Sequence, residues 1–254
     1  MKNLKALIIV WSLLAAVASA AAVWDIKPFM EWSDKDMEKL LTDSPWAGKA
    51  SLTHEREGAN LGPVPDWHLI VSVRSAEPIR RAVARQLLAA GLPASPDLEA
   101  NLAAPYPRYA IAIAKIPQFY RTQLQKSAQG AVLRVKGQNL SAVNGAVQLL
   151  DKDGKEVQPP PARGPQPKPQ ASAGVVQIVP VAQGGGGGFG GGGFGGGGGF
   201  KDDGTTATMV LEFPKVEGVT ANDGEIEIST IVGGYKIKKL FKLKEMMFKG
   251  ALSF

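Results

Sequence analysis

The stretch YAIAIAKI, residues 109–116, decides the fold, because its alternation favours a strand that is buried on both faces. Its larger side chains, Tyr109, Ile111 and Ile113, share one face at the two-residue period of a strand, and three alanines share the other. A strand with two apolar faces needs hydrogen-bonded neighbours at both edges and cover on both sides. We therefore expect residues 109–116 near the centre of a sheet.

Strands and helices alternate on either side of this stretch. Residues 67–74 alternate as a strand, and Ser75 is the expected cap of a helix that ends before Gly91. Pro117 opens a second, shorter helix, and residues 131–136 form a further strand. The order from 67 to 136 is therefore strand–helix–strand–helix–strand.

The C-terminal segment, residues 205–254, predicts four antiparallel strands in a meander. Gly233-Gly234 is a two-residue hairpin signal, and the strand after it places Lys239 on the same side as its apolar residues. This segment brings no helix to cover its apolar face, and alone it would be marginally stable. We therefore expect an α+β fold in which residues 23–157 and 205–254 form one domain.

Residues 158–204, between the two segments, are rich in Pro and then almost purely Gly, interrupted by Phe189 and Phe194. Such a sequence buries too little apolar surface to offset its ordering entropy, which predicts a long disordered insertion. A connection of this length is tolerated because the cost of loop closure grows slowly with length.

Residues 1–22 have the order of a secretory signal peptide. Lys2 and Lys5 precede the apolar stretch 6–17, and Ala18-Ser19-Ala20 is a small-residue cleavage site. The alternative is an uncleaved anchor, since residues 4–23 are just long enough to span a bilayer. We expect the leader to be cleaved and no transmembrane segment to follow it. Because an exported chain without Cys does not depend on disulfides, we also expect a bacterial protein that is exported to the periplasm or beyond the cell.

Four aromatic residues crowd the start of the predicted mature chain: Trp24, Phe29, Trp32 and Trp46. Ser33 and Asp36 have the spacing of a capping box, which predicts a short helix just after them. The aromatic residues then serve to fasten this helix to the core, and the alternative is an exposed platform for sugars or peptides.

Composition excludes several kinds of site. The 254 residues include no Cys and two His, which excludes disulfides, thiolate metal sites, thiol nucleophiles and multi-His metal centres. His68 and Ser72 share a strand face, but neither an orienting third group nor a G-x-S-x-G elbow accompanies them. Asp151, Asp153 and Gly154 depart from calcium-loop spacing and indicate a hairpin turn. We therefore expect no cofactor, no metal and no catalytic residue.

Lysines recur on the last long strand. Lys236, Lys238, Lys242 and Lys244 share one face, and the whole chain carries a formal net charge of +6. A solvated sheet face explains this pattern, and binding of anionic envelope polymers or lipid headgroups is the functional alternative. Nucleic acid is not an expected partner, because the chain carries an export signal. It also lacks the strand motif whose aromatic residues stack on bases in RNA-binding proteins.

Several stretches together resemble an uncharacterised family of secreted proteins from acidobacterial genomes. They are residues 27–32, 36–47, 75–80, 213–214 and 241–246. The most specific stretch is Leu-Thr-Asp-Ser-Pro-Trp-Ala, residues 41–47. The resemblance implies an exported α+β protein and assigns no reaction, cofactor or site.

The sequence thus favours an exported, non-catalytic protein with a structural or interacting role in the cell envelope. One alternative is a binding module for anionic envelope polymers that uses the lysines of the C-terminal strand. A second is a hydrolase, for which the deciding feature is His68 or His54 in a cleft beside a carboxylate and a hydroxyl.

Overall fold

The computed structural model describes residues 23–56, 62–150 and 206–254, with backbone alone for 148–150. The predicted signal peptide, the predicted insertion at 158–204 and the predicted turn at Asp151–Gly154 lie outside the described residues. Antiparallel sheets and helices are both present, which confirms the α+β class.

Five α-helices and three 3-10 turns are described. The helices are α1 (Val23–Ile26), α2 (Asp34–Thr42), α3 (Glu77–Ala89), α4 (Leu98–Ala103) and α5 (Arg121–Gln129). The 3-10 turns are Phe29–Glu31, Gln118–Tyr120 and Leu243–Glu245.

Twelve strands are described, and ten of them form two five-stranded sheets. They are β1 (Ala47–Lys49), β2 (Ser51–His54), β3 (Ile70–Val73), β4 (Tyr109–Pro117), β5 (Val132–Val135), β6 (Gln138–Ser141), β7 (Asn144–Leu150), β8 (Thr206–Phe213), β9 (Glu225–Val232), β10 (Tyr235–Lys242), β11 (Met247–Phe248) and β12 (Ala251–Leu252). The first sheet has the order β1-β3-β4-β8-β7, and the second β2-β10-β9-β5-β6. All pairs are antiparallel, and β11 pairs with β12 separately.

The two sheets are joined at both edges by strands that cross from one to the other. Strand β1 continues into β2 through Ala50, whose N–H donates to the Leu69 carbonyl. On the opposite edge, β6 continues into β7. Ala142 N–H donates to the carbonyl of Ala131, just before β5 of the second sheet, and Val143 N–H donates to the carbonyl of Glu212 in the first sheet. Strands that switch sheets at corners are typical of crossed sheet packing. The crossing strands are β1–β2 and β6–β7, and each belongs to both sheets. When each is counted once, the ten strands make a closed sheet of eight.

Strand β4 lies at the centre of the first sheet, between β3 and β8. Its register with β8 pairs Ile111 with Leu211 and Ile113 with Met209. The N-terminal and C-terminal segments therefore share one sheet, and their buried apolar residues belong to one cluster.

The predicted meander of four C-terminal strands is wrong in its pairing. The β9–β10 hairpin is present, with Gly233 and Gly234 both at positive φ as a type I′ turn requires. Strand β8, however, lies in the first sheet and does not pair with β9. The reason is that β4 needs a second neighbour, and β8 fills that edge with its large apolar side chains opposite those of β4.

Helix α5 packs against both sheets. Thr230 of the second sheet donates its hydroxyl to the Ser127 carbonyl at 2.6 Å. On the first sheet, Gly145 lets the helix approach, since a β-carbon there would lie 2.7 Å from the Ala128 β-carbon. The absence of a side chain at 145 therefore allows α5 to lie directly on β7.

The N-terminal aromatic residues fasten α2 to the core. Trp32 and Trp46 are almost fully buried, so the sugar-platform alternative is wrong for them. The capping box at Ser33 and Asp36 is confirmed: Asp36 N–H donates to Ser33 Oγ, and Ser33 N–H donates to Asp36 Oδ2.

Helix α3 begins differently from the prediction. Its N-cap is Ala76, and the N–H of Glu77 donates to Ser253 Oγ at 2.8 Å, so a residue far along the chain replaces the expected Ser75 cap. Arg80 and Arg81, two charged residues in the first half of this helix, are buried. Arg80 donates to the carbonyls of residues 101 and 104, and Arg81 pairs with two carboxylates.

We predict that Phe241→Ala lowers the free energy of unfolding by about 3–5 kcal/mol, as truncation of a buried aromatic residue does. Phe241 is 3% exposed within the shared cluster. The neighbouring Leu240, 43% exposed, is the matched control, and Leu240→Ala should cost less than about 1 kcal/mol. Urea denaturation followed by tryptophan fluorescence and far-UV circular dichroism measures both. Two separate transitions would contradict a shared core.

We predict that the capping box loses its contribution to stability in acid. The Ser33 backbone N–H and hydroxyl lower the pKa of Asp36 below its ordinary 3.8, with smaller help from Lys27 and Lys35. Because the unfolded chain then takes up the proton first, this stabilisation is complete above the ordinary pKa and is lost as pH falls through the lowered folded value. The difference in unfolding free energy between wild type and Asp36→Asn should shrink over that window. A difference that is constant down to about pH 2 would contradict this role.

Candidate functional site

The lysines singled out by the sequence lie on an internal strand and the turn that follows it. Strand β10 has β2 on one side and β9 on the other. Lys236 and Lys242 are exposed on its outward face, Lys238 is half-buried there, and Lys244 is exposed in the following 3-10 turn. The expected alternation is therefore present at positions 236, 238 and 242, whereas Lys244 lies beyond the end of the strand.

Carboxylates accompany two of these four lysines. Lys238 Nζ lies 2.8 Å from Glu227 Oε2, which also lies 3.8 Å from Arg134. Lys242 Nζ lies 3.2 Å from Glu245 Oε1. The outward face of β10 thus carries its own counter-charges, which a polyanion would have to displace.

A different group of lysines surrounds a cleft of about 660 Å³ at the β1 edge of the first sheet. We call it the lysine cleft. Its charged and titratable lining residues are Glu38, Asp43, Lys49, His68, Lys115 and Lys239. They come from α2 and the residue after it, β1, the segment before β3, β4 and β10, so the cleft exists only in the folded chain.

Lys239 reaches this cleft from the inward side of β10. It alternates with buried Ile237 and Phe241, and its ammonium lies 5.4 Å from the centre of the Phe241 ring. A β-carbon added at Gly48 would lie 2.7 Å from Nζ and 3.3 Å from Cε, so the side chain passes over the bare α-carbon of Gly48. Burial lowers the pKa of Lys239, and the nearby Asp43 offsets part of that effect.

Lys115 is placed by an irregularity in β4. The register with β8 shifts between Ile113 and Ile116, and Lys115 has the left-handed backbone angle φ of 63°. A bulge of this kind re-aims a side chain relative to the regular strand. Here it gives the cleft an exposed second lysine, and Lys49 on β1 gives it a third.

None of these three lysines forms an ion pair within 4.0 Å with a carboxylate of the described residues. Glu38 and Asp43 line the cleft, but neither carboxylate lies within 4.0 Å of a lysine ammonium of the cleft. The cleft therefore keeps positive charge available to a ligand, in contrast to the outward face of β10.

His68 lines the same cleft, but the described geometry does not assemble a hydrolytic site around it. Its Nδ1 lies 3.6 Å from exposed Asp66. The cleft hydroxyls of Thr42 and Ser44 each donate to a carbonyl of α2 at 2.7 Å. Ser72 is buried, and the His54 ring lies 5.5 Å from the Tyr235 ring. Among the described residues, no serine or threonine hydroxyl is hydrogen-bonded to either histidine.

Sequence reasoning found His68 and the outward lysines but missed the lysine cleft. The available signal was Lys239, a charged residue in the inward register of an otherwise apolar strand face. Lys115 gave no signal, since a bulge depends on the partner strand.

In comparisons with known proteins, no family model matches the chain, and neither a curated protein nor a solved structure matches it. The resemblance to acidobacterial secreted proteins stays a prediction. Within residues 23–56, 62–150 and 206–254, no helix has the length and apolar character needed to cross a membrane. The same residues contain no cluster of three or more His, Asp or Glu side chains suited to a metal ion.

We predict that Gly48→Ala moves the Lys239 ammonium while leaving the fold intact. The added methyl group meets only the flexible end of Lys239, so the free energy of unfolding should change by less than about 1 kcal/mol. The displaced ammonium becomes better hydrated, and the pKa of Lys239 should rise toward its ordinary 10.5. Lysine side-chain NMR titration measures it. Gly130→Ala, where a β-carbon meets ordinary contacts at 3.7 Å, is the control. An unchanged Lys239 titration in Gly48→Ala would contradict the placement.

Proposed function

We propose that the protein is an exported, non-catalytic binding protein that holds an anionic group in the lysine cleft. The observation that carries this proposal is the set of three lysines, without carboxylate partners among the described residues, around one cleft. Lys239 is partly removed from water, which disfavours its charge, and the nearby Asp43 offsets only part of that effect. A bound anion would offset more of it.

The electrostatics of the lining favour a small anionic group. Three lysines and two carboxylates leave an excess of one positive charge when His68 is counted as neutral, and the full chain, leader included, carries a formal net charge of +6. A cleft with one sign of charge in excess raises the local concentration of the opposite ion. Its volume of about 660 Å³ suits a small molecule or one unit of a polymer.

The predicted leader supports a ligand that lies in the cell envelope or outside the cell. A basic, then apolar, then small-residue order at 1–22 directs a chain for export. The ligand would then be a carboxylate- or phosphate-bearing component of the envelope or its surroundings. This cleft, rather than the outward lysines of β10, is the preferred site because Lys238 and Lys242 already have carboxylate neighbours.

We predict that inorganic phosphate binds in the cleft and that Lys239→Gln weakens it about tenfold or more, since a hydrogen bond to a charged group contributes about 1.5–3 kcal/mol. The matched control is Lys236→Gln, which removes an exposed lysine from the outward face of the same strand. It should change the dissociation constant less than about twofold. Calorimetric or NMR titration at two salt concentrations measures both.

Lys115→Gln is a second variant, chosen because its exposed side chain can be replaced without disturbing the core. It should also weaken phosphate binding, and higher salt should weaken binding to the wild type. Equal binding by wild type and Lys239→Gln would rule out the cleft. A larger loss in Lys236→Gln would instead favour the outward face and the polymer-binding alternative.

A further inference from the structure

The two sides of the lysine cleft differ in hydrogen-bonding character. On the strand side, Lys49, Lys115 and Lys239 bring ammonium groups, which only donate. On the other side, Glu38 and Asp43, from α2 and the residue after it, bring carboxylates, which only accept when ionised. Both carboxylates are exposed, and neither forms an ion pair within 4.0 Å among the described residues. The cleft therefore has a donor side and an acceptor side, which come from different elements.

The hydroxyls on the acceptor side also present lone pairs to the cleft. Thr42 Oγ1 donates its proton to the Glu38 carbonyl, and Ser44 Oγ donates to the Leu40 carbonyl, each at 2.7 Å. Ser44 Oγ already accepts from the Trp46 N–H, so Thr42 Oγ1 keeps more capacity to accept from a ligand. Helix α2 ends at Thr42, and the last carbonyls of a helix carry partial negative charge. This side therefore repels an anion and stabilises a positively charged N–H donor.

The donor side and the acceptor side lie close to each other without touching. Asp43 is near enough to Lys239 to raise its pKa, against the lowering that burial causes, yet no carboxylate of the described residues lies within 4.0 Å of that ammonium. Glu38 and Thr42 are four residues apart on α2 and so share one face of the helix. The cleft between this face and the strands has a volume of about 660 Å³, so a small molecule can reach both sides at once.

We propose that the cleft binds a small zwitterion, a molecule that carries a primary ammonium group a few bonds away from its phosphate or carboxylate group. This rests on the proposed function, since the anionic group meets the lysines of the donor side. The ammonium group meets the carboxylates of Glu38 and Asp43 and the hydroxyl oxygen of Thr42. Phosphorylated amines and amino acids belong to this class, whereas a plain anion leaves the acceptor side without a donor.

The experiment compares two ligands that differ in one group. O-phosphoethanolamine carries a phosphate and an ammonium group, and 2-hydroxyethyl phosphate has a hydroxyl in place of the ammonium. Calorimetric or NMR titration of the full chain near neutral pH measures both dissociation constants. We expect O-phosphoethanolamine to bind about threefold more tightly, within the range that exposed ion pairs contribute. Equal binding of the two ligands, or tighter binding of 2-hydroxyethyl phosphate, would overturn the inference.

Glu38→Gln separates a zwitterion site from a plain anion site by the sign of its effect. The substitution removes a negative charge from the cleft, so 2-hydroxyethyl phosphate should bind somewhat more tightly. O-phosphoethanolamine loses a partner of its ammonium group, so its advantage over 2-hydroxyethyl phosphate should shrink by about half or more. Asp43→Asn should act in the same direction.

The matched control is Glu31→Gln, which removes an exposed carboxylate that lies before α2 and does not line the cleft. It should leave the ratio of the two dissociation constants unchanged. Tightening of both ligands to the same extent in Glu38→Gln would overturn the role of the acceptor side.

The outcomes distinguish this inference from the proposed function. If wild type binds both ligands equally and Glu38→Gln tightens both, the zwitterion is overturned while anion binding stands. If wild type binds neither ligand and no inorganic phosphate, both proposals are overturned. A preference for O-phosphoethanolamine that Glu38→Gln reduces and Glu31→Gln keeps supports both.

A lipid headgroup and a free molecule could supply the same zwitterion, and sedimentation with vesicles tells them apart. Retention of the protein by phosphatidylethanolamine vesicles that is lost in Glu38→Gln supports a headgroup as the source. Binding of O-phosphoethanolamine without such retention supports a free zwitterion.

Discussion

The pairing of β4 with β8 is the constraint on which the rest of the structure depends. It joins residues 109–117 to residues 206–213 and places Ile111 beside Leu211 in a fully buried layer. Burying one such aliphatic side chain contributes about 1.5–3 kcal/mol, whereas doubling the length of a connecting loop costs only about 0.6 kcal/mol. The extra length of the connection between β7 and β8 therefore costs little compared with what a few buried side-chain pairs along this ladder contribute. Without β8, the central strand β4 would have an open edge.

Closure of the sheet follows from that ladder and determines what lies inside. With β8 committed to the first sheet, β9 and β10 pair with β5 and β2 in the second, and the crossing strands join the two sheets. Side chains in the inward register must then be apolar, or long enough for their polar end to reach the surface. Lys239 is a long cation in that register, and the route open to its ammonium passes over Gly48 at the β1 edge. The lysine cleft is in this sense a consequence of the fold.

The sequence was sufficient for features whose cause is local. The period of two in 109–116, the glycine pair at 233–234 and the Ser33–Asp36 spacing each act within a few residues, and each predicted element is present. The choice of partner strands was not local. Nothing in residues 205–213 indicates whether β4 or β9 is the neighbouring strand. Likewise, the hydroxyl that caps helix α3 comes from Ser253 rather than from the adjacent Ser75. Strands β1, β2 and β6 were also missed, because segments of three or four residues are too short to show a period.

The candidate site shows the same division between local and non-local causes. Lys236, Lys238 and Lys239 are near neighbours on one strand, and their residue type alone gives them identical chemistry. On the outward face, the register of β10 with β9 sets Glu227 where it meets Lys238, and solvent surrounds Lys236. On the inward side, an aromatic ring and a glycine surround Lys239, and burial disfavours its charge. The fold therefore turns one lysine among many into a chemically distinct group, in a cleft that it shares with Lys49 from β1 and Lys115 from β4. Since those two come from strands that meet β10 only through closure of the sheet, the chemistry of the cleft depends on the β4–β8 ladder as much as the core does.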